Sequence, residues 1–262
     1  MSGYSALITV MDKACRKAAV ALRRDFGEVE NLQVSRKGPA DFVSQADRKA
    51  DATLKAELGH ARPNFGFLME ESGEQAGEDG APRWIVDPLD GTTNFLHGIP
   101  HFAISIGVEQ AGEIIAGMVY QPITDEVFWA ERGRGAWVGN RRLRVSGRTE
   151  LPDAVFATGI PFLGHGEHGR FSATLNRVMG QVAGVRRFGA AALDLAWVAA
   201  GRFDGFWEAP LKPWDMAAGI AIIREAGGFV SDYRGGDTMM TSGEVVAGNS
   251  VLHGKLLGLV KG

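Results

Sequence analysis

The chain has 262 residues, 45% hydrophobic and 23% charged, which supports a folded core and excludes an intrinsically disordered protein. Its 28 basic and 31 acidic residues give a net charge of -3, so no global attraction to nucleic acid or anionic lipid follows. A single cysteine, Cys15, excludes an intrachain disulfide. The opening MSGYSALITVMDKACRK reaches charged residues too early for a signal peptide or anchor, and no later apolar run approaches about 18 residues, so a cytoplasmic protein without membrane association is expected.

In chain order, Leu7, Val10, Met11, Ala14, Ala18, Ala21 and Leu22 recur at helical spacing, predicting a long first helix that Gly27 ends. A second helix is predicted from about Gln45 to Leu58, with Ala46, Ala50, Leu54 and Leu58 on one face. FGFLMEE reads as a buried strand ending in two acids, SGEQAGEDGAPR as a polar loop, and WIVD as a further strand. Phe102, Ile104, Ile106 and Val108 alternate with small or polar residues, and IIAGMVY and EVFWAE continue the pattern, predicting an antiparallel meander.

The later part mixes types: strand-like DAVFATGI, a helix around Gly169 to Val182, helical AALDLAWVAAG, strand-like FDGFWE, helical WDMAAGIAIIREAGG, then strands GFVSDY and EVVAG. The fold class is therefore mixed α/β. With no repeat or long linker, residues 1–262 read as one domain whose two sheet-containing halves cover approximately 1–150 and 151–262.

Five acids fall at predicted element ends: Glu70 and Glu71 after one strand, Asp87 and Asp90 around Pro88-Leu89, and Asp215 at a helix start. Each alone reads as a cap or turn residue. If the ends converge, mutual repulsion raises some carboxyl pKa values unless a cation neutralises them, and hard oxygen donors favour Mg²⁺ or Mn²⁺. Gly91-Thr92-Thr93 follows directly, offering backbone N–H groups and hydroxyls to phosphate. Metals beside phosphate suit phosphomonoester hydrolysis by water, although an aspartyl-phosphate route stays open at this point. The histidines have no zinc-binding spacing, and no GxxxxGK[ST] loop supports a triphosphatase.

Other features carry less chemistry. ERGRGAWVGN contains GxG but precedes basic residues rather than an apolar helix, so a hairpin is favoured over a dinucleotide site. Arg132, Arg134, Arg141, Arg142 and Arg144 form a basic run that reads first as a solvated hairpin face and second as a site for RNA or another acidic partner. His97 and His101 read as structural or rim residues. Arg186 and Arg187 suit an interface or a surface salt bridge at least as well as phosphate.

FLMEESGE, WIVDPLDGTTNFLHGIPHFAISIG and LKPWDMAAGIAIIREAGG resemble the inositol monophosphatase family in wording, order and spacing, as do PADFVSQAD and FGAAALDLAWVAAGRFDGFWE, particularly its bacterial members. The resemblance spans nearly the whole chain. It implies a layered α-β-α-β-α sandwich of the inositol monophosphatase/fructose-1,6-bisphosphatase type, assembled as a homodimer.

It also implies roles. Glu70, Asp87 and the Leu89 carbonyl hold one Mg²⁺; Asp87, Asp90 and Asp215 hold a second; Glu70 serves a weaker third. Thr92, paired with Asp47, orients the attacking water, Glu70 favours its deprotonation, and Glu71 supports the site. Gly91 and Thr93 contact phosphate, while Asp90, Ala191, Glu208 and Asp215 line the place of the substrate. Two departures stand out: Gly189-Ala190-Ala191 where animal members have Gly-Thr-Ala, and Lys212, a solvated cation near the mouth.

The expected activity is Mg²⁺-dependent hydrolysis of a small phosphorylated polyol, myo-inositol monophosphate, with inhibition by Li⁺. The alternatives are histidinol phosphate or another small phosphomonoester and, in a different class, a binding role in transcription antitermination through RNA polymerase factors.

Overall fold

A computed structural model describes residues 3–26, 34–38 and 41–261 of the chain. Helix α1 (Ala6–Phe26) buries Met11, Ala14, Ala18 and Leu22 as expected; Ile8, Cys15 and Ala19 join them, while Leu7, Val10 and Ala21 flank the stripe half-buried. Burial pushes the Cys15 thiol up, so it is a packed apolar side chain rather than a reactive one. Gly27, Pro39 and Ala40 lie outside the described residues. Helix α2 (Gln45–Ala61) buries Ala46, Ala50, Leu54 and Leu58 and runs on to Ala61, past the expected end.

After a hairpin of β1 (Val34–Gly38) and β2 (Asp41–Ser44), the strands β3 (Gly66–Met69), β4 (Gly73–Gln75), β5 (Arg83–Asp90), β6 (Ala103–Gln110), β7 (Glu113–Gln121), β8 (Glu126–Glu131), β9 (Gly135–Val138) and β10 (Arg141–Arg142) build one sheet. Its order is β10-β9-β8-β7-β6-β5-β3-β4, with β3 parallel to β5 and the meander antiparallel. SGEQAGEDGAPR is not all loop: Gly73–Gln75 pairs with β3 as an edge strand. An exposed edge needs backbone pairing only, so it leaves no apolar alternation to read.

A second sheet, in the order β12-β11-β13-β15-β14, contains β11 (Val155–Thr158), β12 (Gly184–Arg186), β13 (Gly205–Glu208), β14 (Phe229–Ser231) and β15 (Val245–Gly248). The remaining helices are α3 (Thr92–Leu96), α4 (His168–Met179), α5 (Ala191–Ala199), α6 (Pro213–Glu225), α7 (Met239–Ser242) and α8 (Ser250–Lys261). The sequence reading leaves α8 unassigned. Gly254 and Gly258 weaken its local signal, by about 1 kcal/mol each, and burial of Leu252, Leu256 and Val260 against the second sheet offsets that.

Three of the four apolar clusters among the described residues define the layers. Ile104, Ile106 and Val108 of β6 pack with Met11, Leu22 and Leu54 of α1 and α2. On the opposite face, Ala103, Val119 and Phe128 meet α5 and α6, which also touch Phe206 and Ala247 of the second sheet. Phe156, Trp207 and Val246 close the other side of that sheet against α4 and α8. The architecture is the expected α-β-α-β-α sandwich. Among the described residues, no helix is long and apolar enough to cross a membrane.

The two faces of β6 differ in size for a reason. Gly107 pairs with Gly117 of β7, and a Cβ added at either would sit 2.6 Å from the Ala217 Cβ or 2.4 Å from the Ala218 carbonyl oxygen. The glycines form a trough that lets α6 lie directly on the sheet. Ser105 locks its first turn, donating from Oγ to the Trp214 carbonyl oxygen at 3.0 Å.

Candidate active site

Because β3 and β5 run parallel, their ends lie side by side: the Glu70 N–H donates to the Val86 carbonyl oxygen at 3.1 Å, bringing Glu70 beside Asp87. The pairing of β5 with β6 slips between Asp87 and Asp90, where Pro88 has no N–H to give. The Asp87 carboxylate turns back to accept from the Leu89 N–H at 2.9 Å. Gly91 then takes a φ of 91°, and a Cβ there would stand 3.0 Å from the His101 carbonyl oxygen, so the turn requires glycine on both counts.

Thr92 opens α3 and donates from its hydroxyl toward Asp47 Oδ1 at 3.0 Å and the Leu89 carbonyl oxygen at 3.1 Å. Asn94, which the sequence reading passes over, donates from Nδ2 to the carbonyl oxygens of His101 (2.8 Å) and Phe188 (2.7 Å). It thereby ties α3 to the loop before α5.

The opposite wall comes from the second sheet and its helices. The Ala192 N–H, in the first turn of α5, donates to Asp90 Oδ2 at 2.8 Å, so this acid faces a helix N-terminus. Asp215 accepts from the Lys212 N–H at 2.7 Å, with Pro213 starting α6. Glu208 ends β13, and its carboxylate occupies the space a Cβ at Gly159 would need.

These elements enclose a cleft of about 440 Å³. Glu70, Asp87, Leu89, Asp90, Gly91, Thr92 and Thr93 line one side, and Ala191, Glu208 and Asp215 the other. Asp47 stands behind Thr92, fully buried. Glu71 is half-buried and does not line the cleft. Lys212 is exposed as expected and also reaches the cleft, as does Arg187.

Burial and the charges of Glu70, Asp90 and Asp215 push Asp87 well above the usual carboxylate range. Burial drives Asp90 up to about 7 against the Ala192 N–H, with the Glu70 charge adding to the rise. Asp215 is raised by burial and by Asp90, and Glu208 is raised to about 8 by burial and the Asp90 charge.

Oxygen donors under such mutual repulsion fit a hard divalent cation. Among the described residues, no three acidic, His or Cys side chains are gathered closely enough to hold a metal ion as they stand. Asp87, Asp90 and Asp215 each turn an oxygen to a backbone N–H instead.

The model of the inositol monophosphatase family matches residues 4–262. The chain belongs to the inositol monophosphatase family. Members are metal-dependent phosphoric monoester hydrolases, and the chain is such an enzyme. Among its relatives, the inositol-1-monophosphatase of Mesorhizobium japonicum is 61% identical over 98% of this chain and 97% of its own. The Nus factor SuhB of Pseudomonas aeruginosa is 43% identical over 93% and 92%. The crystal structure of the extragenic suppressor protein suhB from Bartonella henselae superposes with a TM-score of 0.95 at 59% identity, covering 98% of this chain and 99% of that one.

Outside the family motifs, the GxG segment makes a turn in which the N–H groups of Gly133 and Gly135 grip the Glu225 carboxylate at 2.9 and 2.7 Å. Its anion is internal, as expected of a hairpin rather than a nucleotide loop. His97 is exposed, its Nδ1 2.8 Å from the Thr93 carbonyl oxygen. His101 is buried, with Nε2 4.0 Å from Asp194 Oδ1 and neither atom hydrogen-bonded among the described residues; burial lowers His101 to about 4, so it is neutral.

Proposed function

We propose that the chain hydrolyses myo-inositol monophosphate to inositol and phosphate with Mg²⁺. The observation that carries this reading is the meeting of Glu70, Asp87, Asp90 and Asp215 in one cleft beside Gly91-Thr92-Thr93. The family match and the name of the Mesorhizobium relative support the substrate.

In this reading Glu70, Asp87 and the Leu89 carbonyl would hold one Mg²⁺, Asp87, Asp90 and Asp215 would hold a second, and Glu70 would serve a weaker third; Mn²⁺ would suit the same donors. Cations held there would supply acidification of a bound water and neutralisation of charge on phosphate oxygens. Thr92, donating to Asp47, keeps its oxygen lone pairs toward the cleft as acceptors and so orients the attacking water. Glu70 would favour its deprotonation, and Glu71 would support the site.

Gly91 and Thr93 hold the phosphate. Glu208 accepts from hydroxyls of the leaving alcohol beside Ala191, with Asp90 contributing there. The chain works as a single domain and as a homodimer.

Phosphate release from myo-inositol 1-phosphate by purified protein, with and without added Mg²⁺ and after EDTA, tests the proposal. No release in any condition would end it. A panel including histidinol phosphate, ranked by kcat/KM, tests the substrate, because the phosphate and metal ligands do not choose the alcohol.

A second reading, binding to the transcription machinery, draws on the relative named Nus factor SuhB. The basic hairpin supports it weakly: Arg132 and Arg134 pair with Glu113 and Glu131, and Arg142 lies over the Trp137 ring. Pull-down with wild type and Asp87→Asn separates the two, since a binding role persists in the inactive variant.

A further inference from the structure

Two acids proposed to share a cation reach the cleft from different layers. Asp87 belongs to β5 of the first sheet, whereas Asp215 belongs to α6, which lies on that sheet's face. A backbone ladder holds β5 to β6, but no ladder holds a helix to a sheet, so side chains must set the distance between the two carboxylates.

Ser105 stands between them. It is the register partner of Asp87 across the β5–β6 pair, so both side chains project from the face that α6 covers. Its neighbours on that face, Ala103 and Gly107, bring no polar side chain, and Ser105 itself is fully buried. Its hydroxyl donates to the Trp214 carbonyl oxygen at 3.0 Å, one residue before Asp215.

In a helix that carbonyl already accepts from the N–H four residues on, so α6 does not need the serine to satisfy its backbone. What the bond adds is position. Gly107 against Ala217 and Gly117 against Ala218 limit how closely α6 approaches the sheet. Ridges packed into grooves are what hold a helix in register, however, and glycine and alanine raise only low ridges. A directed bond to the first turn removes the freedom to slide that the trough leaves.

We propose that Ser105 is a positioning residue for metal binding: by tethering Trp214 to the strand that pairs with Asp87, it fixes the spacing of Asp87 and Asp215 and so the affinity for the divalent cation they would share. The inference rests on the metal reading above. Ser105 acts through Asp215 and touches neither cation nor substrate. Partners that orient metal ligands in this way typically govern affinity by about 10- to 100-fold.

Calorimetric titration of metal-free protein with MgCl₂ alone tests the tether, beside thermal melts and turnover measured across Mg²⁺ concentrations. Ser105→Ala is expected to weaken Mg²⁺ binding about tenfold, while turnover on inositol 1-phosphate returns to the wild-type value once Mg²⁺ saturates. Val260→Ala, which thins the core beneath α8 away from the cleft, is the control: it lowers the melting temperature and leaves Mg²⁺ affinity unchanged. If Ser105→Ala binds Mg²⁺ as wild type does, or if Val260→Ala weakens binding equally, the tether is overturned and the metal reading stands. Wild type that binds no Mg²⁺ overturns the metal reading, and the tether with it.

Discussion

Gly107 and Gly117 are register partners on adjacent strands, and together they open the trough in which α6 lies. Since α6 begins two residues before Asp215, the depth of the trough fixes how far that carboxylate stands from Asp87 and Asp90.

Gly117→Ala therefore acts on stability and on the site together. Its Cβ would meet the Ala218 backbone, which cannot swing aside as a flexible side chain can. The expected loss is about 2 kcal/mol, typical of overpacking, with a measurable loss of Mg²⁺ affinity. Urea denaturation and calorimetric metal titration check both; full stability with normal metal binding would refute the trough.

Asp87→Asn separates activity from stability. It removes one of several like charges that repel one another, so metal-free protein is expected to melt at a higher temperature than wild type. Turnover falls at least about 100-fold, the upper end of what losing a mere supporting contact costs at a metal site. Thermal melts and phosphate release measure the two effects, and a lower metal-free Tm would contradict the account.

Burial of Asp90, with the Glu70 charge adding to it, gives a pH dependence. Asp90 rises from an ordinary 3.8 to about 7 in the folded chain, so the folded state binds more protons than the unfolded state between those values. Without metal, this group makes stability fall as pH rises through that window. Mg²⁺ cancels the effect, so its increment to Tm is expected to be larger at pH 8 than at pH 6. Equal increments would mean that no proton is displaced when the metal binds.

Asp232 shows the opposite sign. Burial acts to raise it, but the Thr238 hydroxyl and the N–H groups of Gly236, Arg234 and Thr238 outweigh burial and hold it down to about 2. Its contribution is complete above the ordinary 3.8 and is lost as pH falls through about 2. Asp232→Asn should cost about 2 kcal/mol at pH 7 and progressively less in acid, as chemical denaturation at each pH would reveal.

Glu208→Gln is expected to change selectivity more than chemistry. KM for inositol phosphates rises while a substrate without polyol hydroxyls is little affected. Equal losses for both substrates would move Glu208 out of the alcohol site.

Much of this was legible in the sequence because the information is local. Glu70, Asp87, Asp90 and Asp215 stand at strand and helix boundaries that apolar patterning marks, within wording specific to one family. The trough was only half legible: glycine inside a strand pattern signals a close approach, but the partners Ala217 and Ala218 lie far along the chain. His101 and Asp194 meet only through tertiary packing, which a list of single residues does not contain.

The grip of Gly133 and Gly135 on Glu225 has a mechanical meaning. Glu225 is the last residue of α6 and Asp215 lies in its first turn, so a rod of 13 residues, roughly 20 Å long, is clamped at one end and carries a proposed metal ligand at the other. The hairpin far from the cleft thus serves as an anchor, setting the length from which the acidic centre is hung.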